Sequence, residues 1–320
     1  MLNLLLILAA ANLTHAAPLP VLSIGPNSTT VSGISSGAFM AMQLQVAFSS
    51  RIHGTGSVAG GIYGCADGNA LKAQAQCMAF PGTIETESFV SEVKDYAKKG
   101  RIDDTANLKA ARFYLFHSRA DQTVRFPALG KLEAFVKTFT PASQVKTVAA
   151  ESGAHAFPTE AYGAPCDTAG PPFLVNCKRD VAGEILSQLY PGLKPPAAKL
   201  SGQLMAFDQT LYSNTEANLS DEGFLYVPKA CEKGPCRLHI ALHGCKMSPD
   251  FIDDKFREHA GYNRWADANR IVVAYPSAAK SFLNPNGCWD WFGVTGGNYL
   301  TKQGPQMAFF AKLMSALGVR

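Results

Sequence analysis

Ser35 lies in Gly33-Ile34-Ser35-Ser36-Gly37, with a glycine two residues away on each side, a β-branched run before it and a helical pattern after it. A serine so placed is a candidate nucleophile. Gly-x-Ser-x-Gly permits a sharp strand-to-helix turn that lifts the hydroxyl clear of the sheet, because the glycines let backbone pass where a side chain would crowd. A serine also needs a base and a group to orient that base. Asp121 and His155 follow in this order, the first after the strand-like run Arg112-Phe113-Tyr114-Leu115-Phe116 and the second after Val145-Lys146-Thr147-Val148. His155 can take the hydroxyl proton, while Asp121 fixes the imidazole tautomer and stabilises the imidazolium. His117, four residues before Asp121, is the alternative base, but its place at a strand end reads as structural.

Ester attack builds charge on a carbonyl oxygen, and that charge needs two N–H donors. The backbone of Ser36, the residue after the nucleophile, is one. The second is expected from Cys245 in His243-Gly244-Cys245, a His-Gly turn at the end of the strand-like run Leu238-His239-Ile240-Ala241-Leu242. In the usual order of such hydrolases the oxyanion strand precedes the nucleophile; here it follows the histidine. The fold expected is therefore α/β, a circularly permuted α/β-hydrolase, in which each half of the chain supplies part of one apparatus. Residues 17–320 then form a single catalytic domain with a mostly parallel central sheet.

The positioning elements can be read along the chain. A helix follows Ser35, a buried strand is expected over residues 58–63, and helices over 85–98, 127–139, 179–189 and near 251–268. Further strands are expected over 223–228 and 271–276. Pro195-Pro196 marks a break, with too little polar length around it for an interdomain linker.

Of 320 residues, 47% are hydrophobic and 17% charged, so the chain can bury a substantial core and is not disordered. The net charge of +4 comes without a basic block interleaved with aromatics, which argues against nucleic acid. Residues 2–11 form an apolar run followed by Thr14-His15-Ala16-Ala17-Pro18, the pattern of a secretory signal peptide over 1–16, and too short to span a bilayer. Export, to the periplasm or outside the cell, agrees with the even count of 8 cysteines. Short loops make the economical pairing Cys65 with Cys77, Cys166 with Cys177 and Cys231 with Cys236, leaving Cys245 with Cys288, among about a hundred connectivities open to 8 cysteines. The spacings lack those of a zinc site, no metal cluster is evident, and no glycine-rich phosphate loop calls for a cofactor. A Cys245–Cys288 bridge would bring Cys288-Trp289-Asp290-Trp291 beside the site, making Trp289 and Trp291 candidates for contact with an apolar acyl chain, against core packing as the alternative.

With these residues in place, the sequence resembles the extracellular short-chain-length polyhydroxyalkanoate depolymerases, in particular the single-domain fungal-like type. The resemblance runs from the Ser35 turn through Asp121-Gln122-Thr123-Val124 and Gly153-Ala154-His155 to His243-Gly244-Cys245 and the Cys288-Trp289-Asp290-Trp291 segment. It implies cleavage of 3-hydroxyacyl polyesters through an acyl-serine, with a polymer or oligomer as partner; apart from the resemblance, no nucleic-acid or membrane partner is expected, and a monomer is. Unlike many members, this chain shows no Thr-rich or fibronectin-like linker and no separate polymer-binding domain, which bears on dense crystalline polymer as a substrate. The residues alone specify a secreted serine esterase. They leave open a feruloyl or acetyl-xylan esterase, or a non-catalytic hydrolase fold that only binds polymer.

Overall fold

The computed structural model describes residues 16–319, so the expected leader lies outside the described residues except for Ala16. Eight strands form the main sheet: β1 (Ile24–Ile34), β2 (Gly54–Val58), β3 (Arg112–Ser118), β4 (Val145–Ala150), β5 (Gln203–Asp208), β6 (Glu222–Val227), β7 (Cys236–Leu242) and β8 (Ile271–Tyr275). Their spatial order is β4-β3-β2-β1-β7-β8-β6-β5, and only the β8–β6 and β6–β5 pairings are antiparallel.

The inner strands are largely buried along their length because both faces are covered. Phe113 and Leu115 enter one core and Tyr114 and Phe116 the other, and the same alternation divides Val272 and Ala274 from Val273 and Tyr275. The helices α1 (Ser36–Ala47), α2 (Thr86–Lys98) and α3 (Pro127–Phe139) pack on the first face; α4 (Val181–Leu189) and α5 (Tyr262–Asn269) cover the second, and α6 (Pro305–Ala316) returns to the first. Every residue of α1 is buried, which suits a helix apolar on most sides.

Thr30 and Ser32 lie two apart on β1 and so share a face, opposite His239 of β7 in the Thr30↔His239 register. His239 Nδ1 is 2.7 Å from Thr30 Oγ1 and Nε2 is 2.8 Å from Ser32 Oγ; Thr30 donates to the Tyr190 hydroxyl, which donates to Leu238 O. Buried polar groups that satisfy one another in this way tie β1 to β7 without a charge. Burial accordingly depresses the His239 pKa to about 3.

Read from the β5 edge, the sheet runs β5-β6-β8-β7-β1-β2-β3-β4. Placing the second half of the chain before the first restores the hydrolase order, with the oxyanion strand ahead of the nucleophile strand. The packing of α6 beside β1 suits that rearrangement. A Cβ on Gly318 would stand 2.5 Å from Leu22 O, so the end of α6 abuts the entry to β1. The circularly permuted α/β-hydrolase fold is what the chain adopts.

Several elements differ from the sequence expectations. The strand expected over 58–63 ends at Val58, because Ala59 turns with φ 50° and Gly60 and Gly61 run as loop against Ala38 and Phe39. The helix expected near 251–268 is broken where Asp253 and Gly261 take φ 54° and 104°, leaving short turns and α5. β5, α6 and a small sheet of Phe157–Thr159, Ala164–Pro165 and Leu174–Asn176 had no counterpart in the sequence reading.

Candidate active site

Ser35, Asp121, His155 and Cys245 come from loops at the carboxyl ends of β1, β3, β4 and β7, the end of an open sheet where ligands bind. Ser35 is the N-cap of α1 and has φ 54° and ψ −122°, a backbone state that L side chains rarely adopt and that is held by its N–H bond to Val58 O at 2.9 Å. The flanking glycines are required by contact. A Cβ on Gly33 would lie 2.4 Å from the Gly37 carbonyl carbon, and one on Gly37 would lie 2.4 Å from His243 O. The nucleophile turn and the His-Gly turn are therefore packed backbone to backbone.

The structure brings the three side chains together. His155 Nε2 is 2.9 Å from Ser35 Oγ, and His155 Nδ1 is 2.7 Å from Asp121 Oδ2. Asp121 is 2% exposed and its Oδ1 accepts the Thr123 and Val124 N–H groups at 2.8 and 3.0 Å. One carboxylate oxygen is thus spent on holding the loop and the other on the imidazole. With the Asp121 oxygen as acceptor, His155 carries its proton on Nδ1 and presents Nε2 as an acceptor to the serine.

His117 does not reach the serine. Its Nε2 donates to Val124 O at 2.7 Å and stands 3.5 Å from Asp121 Oδ2, behind the acid, and its burial lowers its pKa below the ordinary histidine value. It braces the acid loop as a neutral ring, in agreement with the structural reading.

On the other side of Ser35, a Cβ on Gly244 would lie 3.4 Å from Ser35 Cβ, so the His243-Gly244-Cys245 turn abuts the nucleophile. His243 Nδ1 donates to Gly244 O at 2.7 Å and Nε2 accepts the Ala278 N–H at 3.1 Å. This pairing fixes both tautomer and peptide. Because the Gly244 carbonyl and the Cys245 N–H belong to one planar trans unit and point in opposite directions, anchoring the carbonyl sets the direction of the N–H. Full burial drives the His243 pKa down to about 4, so the anchor stays neutral at ordinary pH. Among the described residues, neither the Ser36 nor the Cys245 N–H donates to a protein acceptor.

The aromatic pair needs a correction. Trp289 is fully buried, packed against His243 at 5.2 Å and Phe310 at 5.4 Å between ring centres, so it is core and cannot offer surface to an acyl chain. Trp291 is 7% exposed and stacks on Phe39 of α1 at 4.1 Å, leaving only an edge free. Asp290 between them organises their loop by accepting the N–H groups of Gly293, Val294 and Thr295, a role that sequence reading missed because an Asx turn and an ordinary surface acid look alike in a string.

Disulfides join Cys65 to Cys77, Cys166 to Cys177, Cys231 to Cys236 and Cys245 to Cys288, and no cysteine is free. Three brace the site. Cys166 O accepts the Ala154 N–H beside His155, Met78 O next to Cys77 accepts the Arg125 N–H of the acid loop, and Cys245 is itself the oxyanion candidate. Among the described residues no cluster of His, Cys, Asp or Glu could hold a metal, and no helix is long and apolar enough to cross a membrane.

A permuted sheet with a hydrogen-bonded Ser–His–Asp set at its carboxyl end defines an α/β-hydrolase of the serine type. No family model matches the chain. It is 41% identical over 304 residues to a poly(3-hydroxybutyrate) depolymerase of Delftia acidovorans, a match covering 92% of this chain and 60% of that protein's length. It is 36% identical to a polyhydroxybutyrate depolymerase of Talaromyces funiculosus over 95% of this chain and 93% of the relative. Among solved structures, the PHB depolymerase of Penicillium funiculosum superposes with TM-score 0.87, and a serine-to-alanine PHB depolymerase complexed with an R3HB trimer with TM-score 0.88; each is 33% identical and matched over 94% of this chain and 99% of its own. The chain belongs to the poly(3-hydroxybutyrate) depolymerase family.

Proposed function

We propose that this protein is a secreted serine esterase that hydrolyses the ester bonds of poly(3-hydroxybutyrate) or its oligomers. The observation that carries the reading is the continuous hydrogen-bonded path from Ser35 Oγ through His155 to Asp121, at 2.9 and 2.7 Å. His155 Nε2 takes the Ser35 proton as Oγ bonds to the ester carbon, and the charge on the former carbonyl oxygen is met by the Ser36 and Cys245 N–H groups. Collapse breaks the bond to the alkoxy group, which leaves with the proton from His155. Water then attacks the acyl-serine, His155 accepts its proton, and the acid is released while Ser35 regains its hydrogen. Asp121 stabilises the imidazolium in both halves.

The polyester substrate is supported by the family and by the R3HB trimer bound to a structural neighbour. Exposed apolar side chains fit a water-insoluble chain: Leu71 projects from the loop closed by Cys65 and Cys77, Phe80 lines a cleft with Asp121, and Phe282 and Leu283 lie on the segment leading into Cys288. The free edge of Trp291 is the remaining aromatic candidate for an acyl group. Residues 1–16 act in this reading as the export signal, 17–320 as one catalytic domain, and four disulfides fit an oxidising destination. The enzyme works as a monomer, without nucleic acid or membrane.

The test is clearing of a poly(3-hydroxybutyrate) suspension by the purified protein, with Ser35→Ala as control and a soluble butyrate ester alongside. Clearing by the wild type alone is expected. Cleavage of the soluble ester with a turbid suspension would move the substrate to oligomers or to feruloyl or acetyl-xylan esters, and inertness on all of them would leave a binding protein.

A further inference from the structure

A cavity of about 970 Å³ opens at the other end of the sheet, among the amino ends of the parallel strands. Its walls include His53 just before β2, Arg112 at the start of β3, Arg237 near the start of β7, and Lys109. The five-residue strand β2 separates His53 from the loop beside the nucleophile, roughly 17 Å at about 3.3 Å per residue. This cavity and the Ser–His–Asp site share no lining residue.

The charge balance of this cavity is one-sided. Arg112, Arg237 and Lys109 form no ion pair among the described residues, and no acid lines the cavity. Two acids bond to wall residues without lining the cavity: Asp103 accepts from Ser50 at 2.6 Å and pairs with Lys302 at 2.6 Å, and Asp104 Oδ1 accepts the Ala106 N–H at 2.8 Å. Arg237 lies over the Tyr190 ring, 5.3 Å from its centre, which restrains the guanidinium without neutralising it. Three like charges facing one space repel unless an anion enters.

His53 on the same wall adds no negative charge, and burial lowers its pKa below the ordinary histidine value. The rest of the wall is apolar or weakly polar, with Leu189, Tyr190, Pro141 and Pro191 beside the cations. A guanidinium fork matches a carboxylate in two parallel bonds, and the apolar wall suits a short alkyl chain attached to it better than it suits a bare inorganic anion.

We propose that this cavity is a second binding site, remote from the catalytic serine, that takes a small organic carboxylate on Arg112, Arg237 and Lys109. On the esterase reading, on which the identity of the ligand rests, that carboxylate is the hydroxyacid end of a released product. The site would let the enzyme hold product away from the reaction centre.

Calorimetric titration of the Ser35→Ala protein with (R)-3-hydroxybutyrate tests this, with an Arg112→Gln/Arg237→Gln double variant in the same background. Both arginines are only half-buried at strand starts and carry no ion pair, so the double variant keeps the fold. Saturable binding is expected, weakened at least tenfold in the double variant, while 1-butanol, which lacks the carboxylate, does not bind. Equal binding by both proteins, binding of butanol as tight as that of the acid, or displacement by inorganic phosphate at equal concentration would each overturn the assignment. Ester turnover with Ser35 intact is read separately. The site requires the two substitutions to leave turnover unchanged, whereas a protein that binds the acid but cleaves no ester loses the esterase reading and keeps the site.

Discussion

The two walls that meet at Ser35 are built by opposite halves of the chain and by different physics. In the proposed mechanism the first half contributes the side chains that move protons: Ser35 on a strained backbone, His155 with a 12% exposed side chain, and Asp121 beneath it. The second half contributes a peptide that moves nothing. Its His243 is fully buried, neutral and bonded at both ring nitrogens, and its Cys245 is tied to Cys288. The two histidines teach the difference. A ring with one nitrogen committed to an acid and the other to a serine can cycle its charge, whereas a ring whose nitrogens are both committed to backbone can only hold geometry.

Damage to the two walls should therefore read out differently, and the largest effect belongs to the first. Asp121→Asn keeps the shape but offers the wrong partner to His155 Nδ1, and kcat on a soluble ester should fall by about 10⁴, with little change in KM. A loss under tenfold would remove Asp121 from the proton-moving wall. On the static wall, His243→Leu frees the Gly244 carbonyl to rotate, and the loss of one oxyanion donor should lower kcat by about 10², again with KM steady. If its pH–rate profile changed shape as well, His243 would be taking part in proton transfer and the contrast would fail.

Two buried histidines of the second half make the fold sensitive to acid. His243 and His239 have folded pKa values depressed to about 4 and about 3, so the unfolded chain binds more protons than the folded one below the unfolded value of about 6.5. Their contribution is fully present above that value and is lost as pH falls toward 4 and then 3, at about 1.4 kcal/mol for each pH unit of displacement. Denaturant unfolding between pH 8 and pH 4 should show stability falling steadily on the acid side, and His243→Leu should flatten part of that slope. A slope unchanged by the substitution would place the titration elsewhere. The smallest effect is expected from His117→Phe, which removes the donor to Val124 O but leaves the two backbone N–H bonds on Asp121; kcat should drop by about tenfold or less. A loss as large as that of Asp121→Asn would make His117 part of the catalytic set.

The same division explains what could be read from the sequence. Ser35, Asp121 and His155 were legible because side-chain chemistry depends on residue type, and each type stands directly after a strand run in a fixed order. The nearness of His243 to Gly37 was not legible, since it rests on backbone packing at 2.4 Å from a missing Cβ. Trp289 was misplaced for a related reason: its position beside Cys288 indicates proximity to the site, but not which way the ring faces. The strand misplaced over 58–63 failed because Ala59, Gly60 and Gly61 are as buried and apolar as strand residues, and only a φ of 50° at Ala59 ends the strand. β5 escaped notice as an edge strand, half exposed and pinned by its antiparallel pairing with β6 rather than by its own pattern.

The permuted order also has a meaning in time. As the chain is synthesised from its amino end, the nucleophile, the acid and the base have all emerged by residue 155, yet Cys245 comes ninety residues later and its bridging partner Cys288 later still. β1, which carries Ser35, must meanwhile wait for β7 to be made before its second edge is paired. On the proposed mechanism a ribosome-bound chain thus holds the proton-moving groups without the Cys245 peptide, and the last disulfide loop to close, with a sequence separation of 43, is the one that completes the site.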